Sequence, residues 1–311
     1  SSKFASGNRW GFFPAVALGW RISEENFMKS VDWLSNLKLR LSYGEAGNNR
    51  IPSGSIYQPF SFPNDYSKLK EPYFGGEMGT VMELGNSKSN NDLKWETTIT
   101  RNLGFDFGFF GSALTFSADY YVKKTNGMLI TMPIPSYVGE TKPIGNVGDM
   151  KNSGLEFELG YKWNVSDARF HVKANVTYLH NELTNLGNDT VFIDLDSFQG
   201  IFGGGTRGSN GQPFPYFYGY KTAGVFQNMA EVQAYVNKDG EMIMPNAKPG
   251  DVRFVDVDGD GTISPDDRTN IGNGTPKWTF GFNLNAEWKG FDLNLFLQGV
   301  TGNKVFDATY R

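Results

Sequence analysis

KWTFGFNLNAEWKGFDLNLFLQG, residues 277–299, decides the fold. From Trp278 every second residue is apolar or aromatic: Trp278, Phe280, Phe282, Leu284, Ala286 and Trp288. Thr279, Gly281, Asn283, Asn285 and Glu287 alternate with them. After Lys289-Gly290 the pattern resumes with Phe291, Leu293, Leu295 and Leu297 against Asp292, Asn294 and Gln298. A period of two sends the two sets to opposite faces of a strand. Two-residue hairpin turns need positive φ, which a glycine such as Gly290 supplies. The stretch therefore predicts two antiparallel strands with one greasy and one wet face. In a soluble sheet the greasy face packs on a core. In a membrane barrel it meets lipid, and the wet face lines the lumen.

Six further segments carry the same alternation. The first is Phe12–Ile22, with Val16, Leu18 and Trp20 on one face. Leu37–Tyr43 sets Leu37, Leu39, Leu41 and Tyr43 against Lys38, Arg40 and Ser42. A third, Trp95–Phe109, carries Leu103, Phe105, Phe107 and Phe109. A fourth carries Leu114, Phe116, Ala118, Tyr120 and Val122, a fifth Leu155 to Trp163, and a sixth Phe170 to Tyr178. Several reach the roughly 9–11 residues that a strand needs to cross a bilayer. The connections are of two kinds. Phe110-Gly111 and Lys289-Gly290 read as two-residue turns, Asn164–Arg169 is short, and Ser23–Asn36 holds a helical turn capped by Asn26. The remaining ones, about 44–94, 124–153 and 180–276, are long. Short turns on the periplasmic side and long loops outside are the pattern of outer-membrane barrels. Parity then makes 180–276 one extracellular excursion, unless it hides an even number of further crossings. Within it Tyr216–Phe226 is strand-like, and Asn228–Val236 reads as a short helix capped by Asn228.

Composition agrees and narrows the function. The chain has 311 residues, a formal net charge of -4 and no cysteine. It lacks a basic footprint for nucleic acid, a disulfide framework and thiolate metal ligands. Aromatics make up 15% of the residues and there are 38 glycines, both high for a soluble domain. The sequence holds no apolar run long enough for a membrane helix. Ser1 opens no signal peptide, so the chain reads as a fragment. No nucleophile elbow, zinc-protease motif or cysteine pair is present, and the chain reads as non-enzymatic. His171 and His180 stand at odd separation and point to opposite faces.

One local motif is sharp. Asp256, Asp258, Asp260 and Gly261 occupy positions 1, 3, 5 and 6 of a calcium loop of the EF-hand type. Thr262 takes the carbonyl position, Ser264 the ninth, and Asp267 the twelfth, where the helix-loop-helix family has Glu. Carboxylates converging on a tight turn repel one another unless a hard cation sits between them. The expected metal set is Asp256, Asp258, Asp260, Thr262, Ser264 and Asp267, with Ca2+ ahead of Mg2+. An acidic surface turn built of Asp-Gly pairs is the alternative. Gly203–Gly208 has GxGxxG spacing but no strand before it or helix after it, and reads as a loop. The loop aromatics Tyr57, Phe60, Phe62, Tyr66, Tyr73, Phe74, Tyr137, Phe198, Phe202, Phe214, Tyr216, Phe217 and Tyr218 leave two readings open. They form a stacking vestibule or docking surface, or they pack among themselves.

Several segments together resemble one family, the SusC/RagA-like TonB-dependent transporters. They are Asn8–Ile22, Leu37–Gly44, Lys151–Phe157, Pro249–Gly261 running into Asp267-Arg268 and Ile271-Gly272, Phe280–Leu284, and Lys289–Leu293. The resemblance implies a late segment of an antiparallel barrel of about 22 strands with an N-terminal plug. It implies import of oligosaccharides or peptides, TonB as energy source, a SusD-like lipoprotein partner and an outer-membrane location. The signal peptide, plug, TonB box and final strands would lie outside this chain. The substrate-contacting residues are unknown. A siderophore or vitamin receptor without a lid is a second reading, and a soluble β-rich calcium-binding adhesion or scaffold module a third.

Overall fold

The computed structural model describes residues 1–52, 55–57, 60–61, 73–74, 77–78, 83–84, 89–131, 144–187, 192–195 and 205–307. Its main body is one eight-stranded sheet: β1 Ala15–Arg21, β2 Leu34–Asn48, β3 Glu96–Phe109, β4 Leu114–Asn126, β5 Asp149–Val165, β6 Ala168–Asn185, β7 Trp278–Trp288 and β8 Phe291–Thr301. Each strand pairs antiparallel with its neighbour in the order β1 to β8. All eight expected strands are present. β2, β5 and β6 are longer than the alternation alone marked, because their ends turn polar at the rim of the sheet. The sheet is an open segment of an all-β barrel wall.

The register aligns the apolar faces into one belt. One row runs Leu18, Leu41, Leu103, Tyr120, Leu155, Tyr178, Trp278. These side chains stand exposed where a soluble sheet would bury them: Leu18 is 67% and Leu155 40% exposed. From Leu155 to Val165, ten steps of about 3.4 Å give roughly 34 Å along the strand, which a tilt near 40° projects to about 26 Å, matching the ~25 Å apolar band of a membrane barrel. Aromatic pairs mark both edges of the belt. Trp33 with Phe109 (5.8 Å), Trp163 with Phe170 (5.1 Å) and Trp288 with Phe291 (6.4 Å) lie at one rim, and Tyr178 with Trp278 (4.8 Å) toward the other. Such pairs sit where hydrocarbon gives way to headgroups.

Some local expectations are corrected. β1 begins at Ala15, not Phe12, because Pro14 has no N–H for the ladder. Phe13 instead packs edge-on against Trp95. β3 and β4 pair from Phe109 and Leu114, so their connection is the four residues 110–113. Phe110, Gly111 and Ser112 all have positive φ there, and the Ser35 hydroxyl accepts from the Gly111 N–H at 2.6 Å. Between β5 and β6 the pairing reaches Val165 and Ala168, leaving Ser166-Asp167 as the turn. Lys289-Gly290 is a true two-residue turn with φ of 46° and 86°. In the β1–β2 connection Asn26 is no cap. It opens a 3-10 turn whose N-cap is Glu25, and the Glu25 carboxylate accepts from Trp20 Nε1. Phe296 breaks the alternation by lying on the polar face opposite Asn283.

The connections 22–33, 110–113, 166–167 and 289–290 all lie at one rim, and 49–95, 127–148 and 186–277 at the other. Among the described residues no strand of 186–277 joins the large sheet. That stretch folds locally. Phe192–Asp194, Thr206–Ser209, Tyr216–Tyr220 and Arg268–Gly272 form a four-stranded sheet, and Thr222–Val225 pairs with Val252–Phe254. Helix Met229–Ala234 is capped by Asn228, whose side chain accepts from the Glu231 N–H as expected.

Candidate functional site

The acidic loop joins Val252–Phe254 to Arg268–Gly272. Its folding follows from short side chains bonding their own backbone, the usual behaviour of Asp in turns. Asp256 accepts from the Gly259 and Gly261 N–H groups (2.7 and 2.9 Å), and Asp258 from Asp260 N–H (3.1 Å). Asp260 accepts from the Thr262 N–H and hydroxyl (2.7 and 3.0 Å). Gly259 and Gly261 take φ of 79° and 89°, which closes the turn. The result brings ligand oxygens of Asp256, Asp258 and Asp260 within 4.8 Å of one another. The hydrogen bond from the Asp260 N–H holds the Asp258 carboxyl down. Desolvation and the charges of Asp260, Asp267 and Asp256 outweigh it, and the carboxyl titrates above its ordinary value.

Asp267 stands apart from that trio. It is fully buried and accepts from Val257 N–H (2.6 Å) and Ser264 N–H (2.7 Å). It closes a capping box with Ser264, whose hydroxyl accepts from Asp266 N–H. The Ser264 N–H bond, helped by Val257 and Asp258, outweighs burial and holds the Asp267 carboxyl below its ordinary range. The carboxylate thus braces the two ends of the loop. Hard oxygen donors on a tight glycine turn fit a divalent cation of the calcium kind. Ser264-x-x-Asp267 also has the spacing of a capping box, a signal that the ligand reading of the same two residues left unused.

The loop aromatics divide. Tyr216 is buried with its hydroxyl 3.1 Å from Ser209, and Phe214 packs on the cluster of Met128, Leu183, Leu186 and Ile193. Tyr218 and Phe192 sandwich the Arg207 guanidinium at 3.5 and 3.6 Å, while Asp194 pairs with it at 2.7 Å. These side chains serve the excursion's own packing. Phe62, Tyr66, Tyr137, Phe198, Phe202 and the glycines at 203 and 204 lie outside the described residues. Beside the small sheet a cleft of about 1310 Å³ opens, lined among others by Tyr218, Tyr220, Phe254, Arg268, Asn270 and Lys304.

The polar face of the wall holds a cluster that the alternation did not reveal. Arg40 on β2 reaches Asp106 on β3 and Asp119 on β4 with four hydrogen bonds of 2.8 Å. Its register partner on β3 is Gly104, whose own partner on β4 is Asp119. A Cβ at Gly104 would fall 2.4 Å from Asp119 Oδ1 and 2.7 Å from Arg40 Cζ, so the guanidinium crosses the strand only because nothing stands there. Finding this trio needs the register as well as the period.

A belt facing lipid, a polar opposite face and a folded excursion at one rim define a class: the wall of a membrane-spanning β-barrel. The comparisons refine it. The family described as "TonB dependent receptor-like, beta-barrel" matches residues 1–310, and the chain belongs to that family. It is a family of receptors of the outer membrane, not of enzymes. TonB-dependent receptor P3 of Formosa agariphila is 34% identical over 99% of this chain. TonB-dependent receptor SusC of Bacteroides thetaiotaomicron is 34% identical over 98%. The solved RagAB peptide transporter superposes on 97% of the chain with a TM-score of 0.75 at 29% identity. The expected likeness to the SusC/RagA type is thus found. The chain spans 30%, 29% and 30% of those three relatives.

Proposed function

We propose that the protein to which this chain belongs imports oligosaccharides or peptides across the outer membrane, driven by TonB and served by a SusD-like lipoprotein. The observation that carries the reading is the superposition of nearly the whole chain on the wall of a peptide importer with a TM-score of 0.75–0.76. In this reading the eight strands are a late part of a barrel of about 22. The rim of long connections faces outward, and the 186–277 excursion stands over the mouth. The acidic loop binds Ca2+ through Asp256, Asp258 and Asp260, with Thr262 and Ser264 offering further oxygens, while Asp267, expected as a ligand, braces the loop through the Val257 and Ser264 N–H groups instead. The motif spacing and the close approach of three carboxylates support it. A metal there would fix the excursion's shape rather than supply chemistry.

The test is to extract the intact protein from outer membranes in mild detergent and identify what travels with it. A copurifying surface lipoprotein and a bound oligosaccharide or peptide support the reading. Iron chelates or cobalamin without a lipoprotein would replace it with a siderophore or vitamin receptor. For the metal, terbium luminescence displaced by calcium reads the loop directly. Asp256→Asn with Asp258→Asn should abolish the signal, and an unchanged signal would remove the site.

A further inference from the structure

We propose that the lipid-facing side of the wall carries a binding site for an acylated lipid whose headgroup bears more than one phosphate. It lies at the rim of the long connections. The outward rows of the sheet change character there. The row Leu18–Leu41–Leu103–Tyr120–Leu155–Tyr178–Trp278 is apolar or aromatic throughout. Two residues further toward the long connections, the same face reads Val16–Tyr43–Arg101–Val122–Ser153–His180. Two residues beyond that it reads Glu45–Ile99–Lys124–Lys151–Glu182. Arg101, Lys124 and Lys151 therefore lie on three adjacent strands, on the face that meets lipid, where the apolar belt ends.

Two of the three cations face each other directly. Lys124 and Lys151 are direct cross-strand partners, and like charges so placed repel. Among the described residues none of the three cations has an ion-pair partner. Two acids stand at the ends of the row, and Glu182 faces Lys151 across the β5–β6 pair without forming an ion pair with it. Glu45 accepts from the Tyr43 hydroxyl, and Glu182 lies 3.6 Å from His180 Nε2. Below Arg101 runs an apolar groove of about 510 Å³, lined by Val16, Leu18, Leu41, Leu103, Tyr120 and Val122. The Arg101 guanidinium sits at its edge, 6.0 Å from the Tyr43 ring. The opposite rim has no counterpart. Toward the short turns the outward rows hold no cation as far as Trp288 and Phe291.

Groove and cations together select the occupant. The groove takes an acyl chain. Three strands at about 4.8 Å spacing spread the cations over roughly 10 Å, too far for one phosphate to serve all three. A zwitterionic lipid would bring its own cation to the row. A lipid with two or more phosphates satisfies both ends, and lipid A, a lipid of that kind in the outer leaflet, lies where the proposed reading points this rim.

Native mass spectrometry of the intact protein in detergent, titrated with lipid A, phosphatidylglycerol and phosphatidylcholine, tests the site. Lipid A should bind the unaltered protein most tightly. Arg101→Gln, Lys124→Gln and Lys151→Gln together should weaken it on the order of a hundredfold, at about fivefold per cation. Lys162→Gln with Lys173→Gln, on the polar face, should leave it unchanged. If the triple variant fails to fold, Lys124→Gln with Lys151→Gln gives the same reading at about 25-fold. Equal lipid A affinity in a folded variant, or phosphatidylglycerol binding as tightly as lipid A, overturns the proposal. Neither outcome touches the import reading, which rests on copurified partner and substrate.

Discussion

The wall and the excursion between β6 and β7 are built on opposite plans. The wall's strands expose Leu159, Phe280, Leu293 and Leu297 and fully bury scarcely any large apolar side chain. The excursion buries Phe226, Val232 and Ala247 in an ordinary small core, and Met128, Leu183, Leu186 and Ile193 form another at its base. The wall therefore needs lipid as its missing core. The excursion is stabilised as any soluble fold is, by burial of apolar surface. One chain thus answers to two solvents.

Substitutions should separate the two plans. The largest effect is expected from Leu159→Arg, which puts a charge in the middle of the belt and should cost about 2–4 kcal/mol in unfolding from lipid vesicles. A cost near zero would mean that the belt is covered by protein. Asp267→Ala should come next, at about 1–2 kcal/mol, since it strips two part-buried N–H groups of their acceptor. That loss should stay local. Hydrogen exchange should quicken at Val257 and Ser264 and remain unchanged in β5 and β6. Quickened exchange in the wall would show that the two regions unfold together. Arg207→Ala should cost about 1–2 kcal/mol, again within the excursion, from the lost Phe192–Tyr218 sandwich and the Asp194 pair. Glu158→Arg, one residue from Leu159 but on the polar face, should stay within about 0.5 kcal/mol. Its contrast with Leu159→Arg is the cleanest measure of which face is wet.

The two plans also differ in how far the sequence reveals them. The wall was legible because lipid demands a period of two along every strand, and Phe105, Phe107 and Phe109 repeat it openly. The Lys289-Gly290 turn was legible from its glycine. The four-residue turn at 110–113 was not, because it depends on Ser35 of a neighbouring strand. In the excursion, local signals were readable: Asn228 as a cap, and Asp256, Asp258 and Asp260 as a convergent trio. The fate of Asp267 was less so. A carboxylate at a ligand position and one in a capping box look alike in sequence, and only burial and bonding tell them apart. Arg207 between two rings depends on pairings across Phe192–Asp194, Thr206–Ser209 and Tyr216–Tyr220, which no short window contains.

Arg40 shows how a wall is kept in step where turn chemistry cannot reach. β2 and β3 are joined by the long connection 49–95, too long to set a strand register as the Lys289-Gly290 hairpin does. Slipping β2 past β3, or β3 past β4, by one two-residue repeat moves them about 7 Å. That carries the guanidinium beyond hydrogen-bond reach of Asp106 or Asp119. One side chain, lying over the bare backbone at Gly104, thereby pins β2 to the β3–β4 hairpin that the 110–113 turn already holds in step, and works as a dowel through three planks.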